Sequence, residues 1–114
     1  MPRLSTHVLD LVSGQPAQGV RIDLHRVSKD GAHQLVATTM TNADGRTDAP
    51  LLAGAAFLIG TYELSFHIGA YFAAHGRSGF LDLVPIRFVI AEPEGNYHVP
   101  LLATPWSYST YRGS

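Results

Sequence analysis

Apolar side chains fall on every second position in six short stretches of this chain, and that spacing constrains its fold more than any other feature. A β-strand turns successive side chains to opposite faces, so runs of this kind suit strands buried on one side only. The stretches cover residues 4–9, 20–25, 35–42, 61–68, 84–91 and 97–102, and a Ser- and Tyr-rich stretch follows at 107–111. Between them stand Ser13-Gly14-Gln15-Pro16, Lys29-Asp30-Gly31, Ala43-Asp44-Gly45 and Pro93-Glu94-Gly95-Asn96, residues that tolerate tight or left-handed backbone. Short strands punctuated in this way predict an all-β sandwich. One short helix is expected at Gly69–His75, stopping at Gly76. Pro85 and Pro100 fall inside strand patterns. Proline donates nothing to a ladder, so each is expected at an edge, a strand end or a bulge.

Composition narrows the function classes. At 114 residues the chain is expected to form a single domain, 1–114, and 46% hydrophobic against 15% charged residues excludes intrinsic disorder. Eight basic and nine acidic residues, with no block of one sign, argue against a nucleic-acid partner or an anionic membrane surface. The absence of cysteine removes disulfide scaffolds, thiolate zinc sites and cysteine nucleophiles together. No apolar run approaches the roughly 20 residues that span a bilayer. MPRLSTHV has no apolar h-region, so a cytoplasmic protein is expected, or a periplasmic one if the chain is mature. Six histidines invite a zinc reading, but no HxH, HxxH or HExxH spacing supports it, and no metal site is expected.

The histidines separate by face. Leu4 and Val8 share one side of the first strand, and His7 takes the other. Tyr97, Val99 and Leu101 share one side of the sixth, and His98 takes the other. If the larger apolar set marks the interior, both histidines point outward. Their neighbours there, Leu9, Pro100 and Leu102, are uncharged, which suggests a second buried surface between subunits. Two imidazoles in a partly dry cleft suit acid–base work, because histidine titrates near pH 6.5.

Three motifs carry a family resemblance. LSTHVLD (Leu4–Asp10), TNADGR (Thr41–Arg46) and the closing YHVPLLATPWSYSTYRGS resemble, in the same order, the signatures of the transthyretin-related proteins. The terminal YRGS, Tyr111–Ser114, resembles the branch that hydrolyses 5-hydroxyisourate rather than the thyroid-hormone carriers of the same fold. The resemblance implies a transthyretin-like (prealbumin-type) β-sandwich of about eight strands with one short helix. It implies a homotetramer with sites in a channel between dimers, and hydrolysis in urate degradation without a cofactor. It also matches His7 and His98 to a catalytic pair, Arg46 to the group that holds the substrate, Tyr111 to a substrate contact and Ser114 to a group orienting a histidine or water. Arg112 is instead expected to anchor the tail through a salt bridge. Asp44 and Asp48 are expected to shape the turn around Arg46 or to pair with it, and His25, His33, His67 and His75 to lie on the surface. Ala103, Thr104 and Trp106 stand where leucine, serine and tyrosine or phenylalanine are more usual, and Trp106 is expected to bear on channel shape or substrate affinity. The rival is a transthyretin-like protein that binds a small ligand without turnover.

Overall fold

The computed structural model describes residues 2–113. In chain order its strands are β1 (Arg3–Ser5), β2 (Val8–Asp10), β3 (Gln15–Pro16), β4 (Arg21–Val27), β5 (His33–Met40), β6 (Leu52–Ala53) and β7 (Gly60–Phe66). The helix α1 (Ile68–Ala74) comes next, then β8 (Val84–Ile90), β9 (Asn96–His98), β10 (Leu101–Ala103) and β11 (Tyr108–Thr110). One layer is the antiparallel sheet β5-β4-β7-β8. The other is built from β6-β1-β9 and β11-β10-β2-β3.

These last two sheets are halves of one. β1 pairs in parallel with β9 and β2 with β10, and the partners stay 93 positions apart throughout. Ladder bonds bridge the gap: Val99 N donates to Ser5 O at 2.9 Å, and Leu101 N to His7 O at 2.9 Å. Between those donors Pro100 turns its nitrogen toward β11, where its carbonyl accepts the Thr110 hydroxyl at 2.7 Å. Proline thus occupies a position where the missing N–H costs the β1–β2 ladder nothing.

Among the described residues the strand segments number eleven, where about eight strands are expected. The two interruptions split continuous ribbons, and β3 and β6 are only two residues long, too short to leave a periodic signal. α1 lies one residue before its expected position, because Ile68 starts the turn that also buries Tyr71 and Phe72. Inward-facing Leu4, Val8, Leu24, Leu64, Ile90 and Leu101 are wholly buried between the layers. The alternation in residues 4–10 runs unbroken through the gap, with Leu4, Thr6 and Val8 buried and Ser5, His7 and Leu9 half-buried on the other face. No helix among the described residues is long and apolar enough to cross a membrane.

Candidate active site

His98 ends β9 directly opposite Ser5 of β1. The Ser5 hydroxyl lies 2.9 Å from His98 Nδ1. His7 follows Ser5 by two residues on the same outward face, so the parallel register brings both imidazoles to one patch of the sheet.

A loop delivers Arg46 to that patch. Asn42 Oδ1 accepts the backbone N–H groups of Asp44 and Arg46 at 2.9 and 3.2 Å, and Asn42 N donates to Arg46 O at 2.7 Å. The Asn42 side chain also donates to Asp48 at 3.0 Å, so Asn42, rather than Asp44, braces the turn. Gly45 has φ +73 and its carbonyl accepts Val8 N–H at 2.8 Å. A Cβ there would collide with the Val8 carbonyl oxygen, so only glycine lets the loop dock this close to His7.

Arg46, Ser5 and His98 line a pocket of about 300 Å³ together with Arg3 and Asn96. A neighbouring one of about 240 Å³ shares Arg3, Ser5 and Arg46 and adds Thr6 and Asp48. The electrostatics tie His7 to the same place. Burial lowers the His98 pKa from its ordinary 6.5, and the charges of Arg46, His7 and Arg3 lower it further. Burial and Arg46 likewise lower His7, partly offset by the nearby Asp44 backbone and by the Asp44 charge. Both shifts favour the neutral imidazole beside the Arg46 guanidinium. Such a group can accept a proton, while the guanidinium offers a planar fork of donors to oxyanionic oxygen.

The chain's tail reaches the same histidine. Gly113 N donates to His98 O at 2.7 Å, and a Cβ on Gly113 would lie 2.9 Å from His98 Cδ2. Arg112 stacks over Tyr97 at 4.2 Å, donates to Asn96 O at 3.4 Å and comes within 3.7 Å of Glu92. Arg112 is thus a tether. Tyr111, 59% exposed, lines a different groove of about 290 Å³ with Ile86, Phe88 and Val99, and is not among the residues lining the Arg46–His98 pocket. Ser114 lies outside the described residues. Arg3, Ser5 and Asn96 are pocket residues the sequence analysis did not single out. The available signal was Ser5, which shares the outward face of His7 two positions away.

The remaining histidines are placed elsewhere. His67 Nε2 lies 2.9 Å from Asp23 and His33 Nε2 3.2 Å from Glu63. His25 packs edge-on against His33, and His75 bonds the Tyr71 carbonyl at 2.8 Å. Trp106, 67% exposed, stacks on Phe80 at 6.5 Å.

Known proteins resemble this chain over nearly its whole length. The chain is 55% identical to 5-hydroxyisourate hydrolase 2 of Rhizobium meliloti, covering 98% of this chain and 96% of that one. The solved 5-hydroxyisourate hydrolase of Klebsiella pneumoniae superposes with a TM-score of 0.85 at 39% identity, covering 100% of this chain and 94% of that one. The crystal structure of (S)-allantoin synthase superposes with a TM-score of 0.93 at 48% identity, over 99% of this chain but only 44% of that longer one. Residues 4–113 match the family described as HIUase/Transthyretin, and this chain belongs to that family.

Proposed function

We propose that this protein opens the ring of 5-hydroxyisourate by hydrolysis, giving 2-oxo-4-hydroxy-4-carboxy-5-ureidoimidazoline, without a cofactor. The observation that carries the reading is the convergence of His98 and Arg46 on one pocket, with His7 on the same outward face of the sheet and under the same Arg46 charge. The near-full-length identity to 5-hydroxyisourate hydrolases supports the substrate.

The chemistry follows from those groups. Arg46 orients the ring through its oxygens. Water adds to a ring carbonyl as one neutral histidine of the pair takes its proton. The carbonyl oxygen becomes an oxyanion facing the Arg46 charge. Collapse breaks the C–N bond, and the histidine pair returns a proton to the leaving nitrogen. Ser114 is assigned to orienting a histidine or the water, and Tyr111 to contact with substrate. For Tyr111 that role requires its ring to reach the pocket from the neighbouring groove or from another subunit.

The working form is proposed to be a cytoplasmic homotetramer of single-domain 1–114 chains. Exposed Leu11, Val12, Val89, Trp106 and Tyr108 supply apolar surface for subunit contacts. A solution mass of four chains is the expected measurement.

The direct test generates 5-hydroxyisourate from urate with urate oxidase, adds the protein and follows the ultraviolet absorbance of the intermediate. Faster loss with protein is expected. Saturable binding of the intermediate with no change in its decay would make the protein a carrier.

A further inference from the structure

We propose that Ser5 is a positioning residue for His98, holding Nδ1 of the imidazole so that Nε2 is presented to the substrate throughout turnover. The inference rests on the hydrolase reading above and deepens it.

The backbone leaves Ser5 little choice of partner. The β1–β9 register sets Ser5 directly across from His98, and the buried Thr6 hydroxyl locks that register by donating to Val99 O at 2.7 Å. The Ser5 hydroxyl then meets Nδ1 at 2.9 Å. On another side Gly113 approaches the ring so closely that an added Cβ would lie 2.9 Å from Cδ2 and 3.2 Å from Cβ of His98. The imidazole is held by a hydroxyl at one nitrogen and by backbone along its carbon edge. Among the described residues no hydrogen bond engages Nε2, which leaves that nitrogen to the pocket.

A hydroxyl is the chemically apt holder for a group that must change its protonation state. It has one donor and two lone pairs. It accepts from Nδ1–H when Nε2 carries the lone pair of a base, and it accepts again when the ring is an imidazolium. It donates to Nδ1 when Nε2 carries the proton. A carboxylate at the same place would favour the imidazolium alone. The uncharged hydroxyl fixes the ring while leaving burial and Arg46 to keep His98 neutral at rest.

The test compares Ser5→Ala and Ser5→Thr with the unaltered protein, using the urate oxidase assay and ¹⁵N spectra of the histidine rings. His98 signals are assigned by their loss in His98→Asn. Ser5→Ala is expected to lower kcat about tenfold with KM within about twofold, and to move the His98 Nδ1 resonance. Ser5→Thr, which keeps the hydroxyl, should hold kcat within about threefold and leave the resonance in place. Unchanged kcat in Ser5→Ala overturns the inference. So does a loss that Thr does not restore and that tracks a lower melting temperature, because it makes Ser5 merely structural. Should the unaltered protein itself fail to speed the decay, the hydrolase reading falls and takes this inference with it, a result distinct from an active protein indifferent to Ser5.

Discussion

The two outer faces of the sandwich both carry histidine, and they use it in opposite ways. On the face of β4 and β7, His67 sits 2.9 Å from Asp23 and His33 3.2 Å from Glu63, with Arg21 and Arg87 bonded to the same carboxylates. Acid and base are matched there, and each group is occupied. On the face of β1 and β9, His7 and His98 stand beside Arg46 and Arg3 with a hydroxyl for company. The first arrangement is tied up in its own hydrogen bonds and arginine–carboxylate pairs. The second holds two half-buried imidazoles whose charged form is disfavoured, with His98 open to a pocket. The neighbour, more than the residue type, decides which histidine can do chemistry.

That contrast can be broken most directly by exchanging the loss. His98→Asn is expected to lower turnover by about 10² or more, whereas His67→Asn leaves it within about twofold; both are read in the urate oxidase assay. Equal losses would erase the distinction between the faces.

Arg46→Ala is expected to reduce kcat/KM by about tenfold or more, and also to change its pH dependence. Both imidazoles have pKa values below 6.5, so activity should persist to lower pH than free histidine allows, then fall as protonation removes the base. Removing the guanidinium removes a like charge that opposes the imidazolium. The acid limb should therefore move up toward 6.5 in Arg46→Ala and stay put in Arg46→Lys. The shift is partial, because burial is the larger cause at both residues. A profile of kcat/KM from pH 5 to 8 that does not move, or moves down, contradicts the arrangement.

Gly113→Ala sharpens the comparison with a smaller perturbation. Its new Cβ presses on the His98 ring, and a loss of about threefold to tenfold in kcat is expected with little change in melting temperature. Unchanged turnover would remove the tail from the site. Least of all should turnover respond on the other face. Asp23→Ala is expected to cost about 1–3 kcal/mol in a denaturant titration, since the Thr38 and His67 partners are left unmet, while kcat stays the same.

Much of this was legible in the residues. Period two survives the gap at Thr6–His7, because the backbone stays extended even where the strand assignment lapses, so the outward placement of His7 could be read directly. The TNADGR motif located Arg46, and Asn42 and Gly45 within it explain why the loop packs where it does. What periodicity could not supply was which strands are neighbours. Ser5 and Arg3 became pocket residues only once β1 was seen to lie parallel to β9, a pairing between distant segments that leaves no local trace. β3 and β6 escaped notice because two residues make no pattern. The Tyr111 ring was assigned to the substrate by motif, yet Tyr111 lines the neighbouring groove in a single chain, since local sequence does not encode how a terminal segment drapes over its sheet.

The constant offset of 93 residues between the paired edge ribbons has a consequence for assembly. The β4–β5 hairpin closes over a short connection, but the ribbons bearing His7 and His98 must find one another across most of the polypeptide, the costlier event in loop entropy. One imidazole is made well before the strand that carries the other. A partly folded chain can hold its hairpins intact and still be inert, so turnover reports that folding has gone to completion.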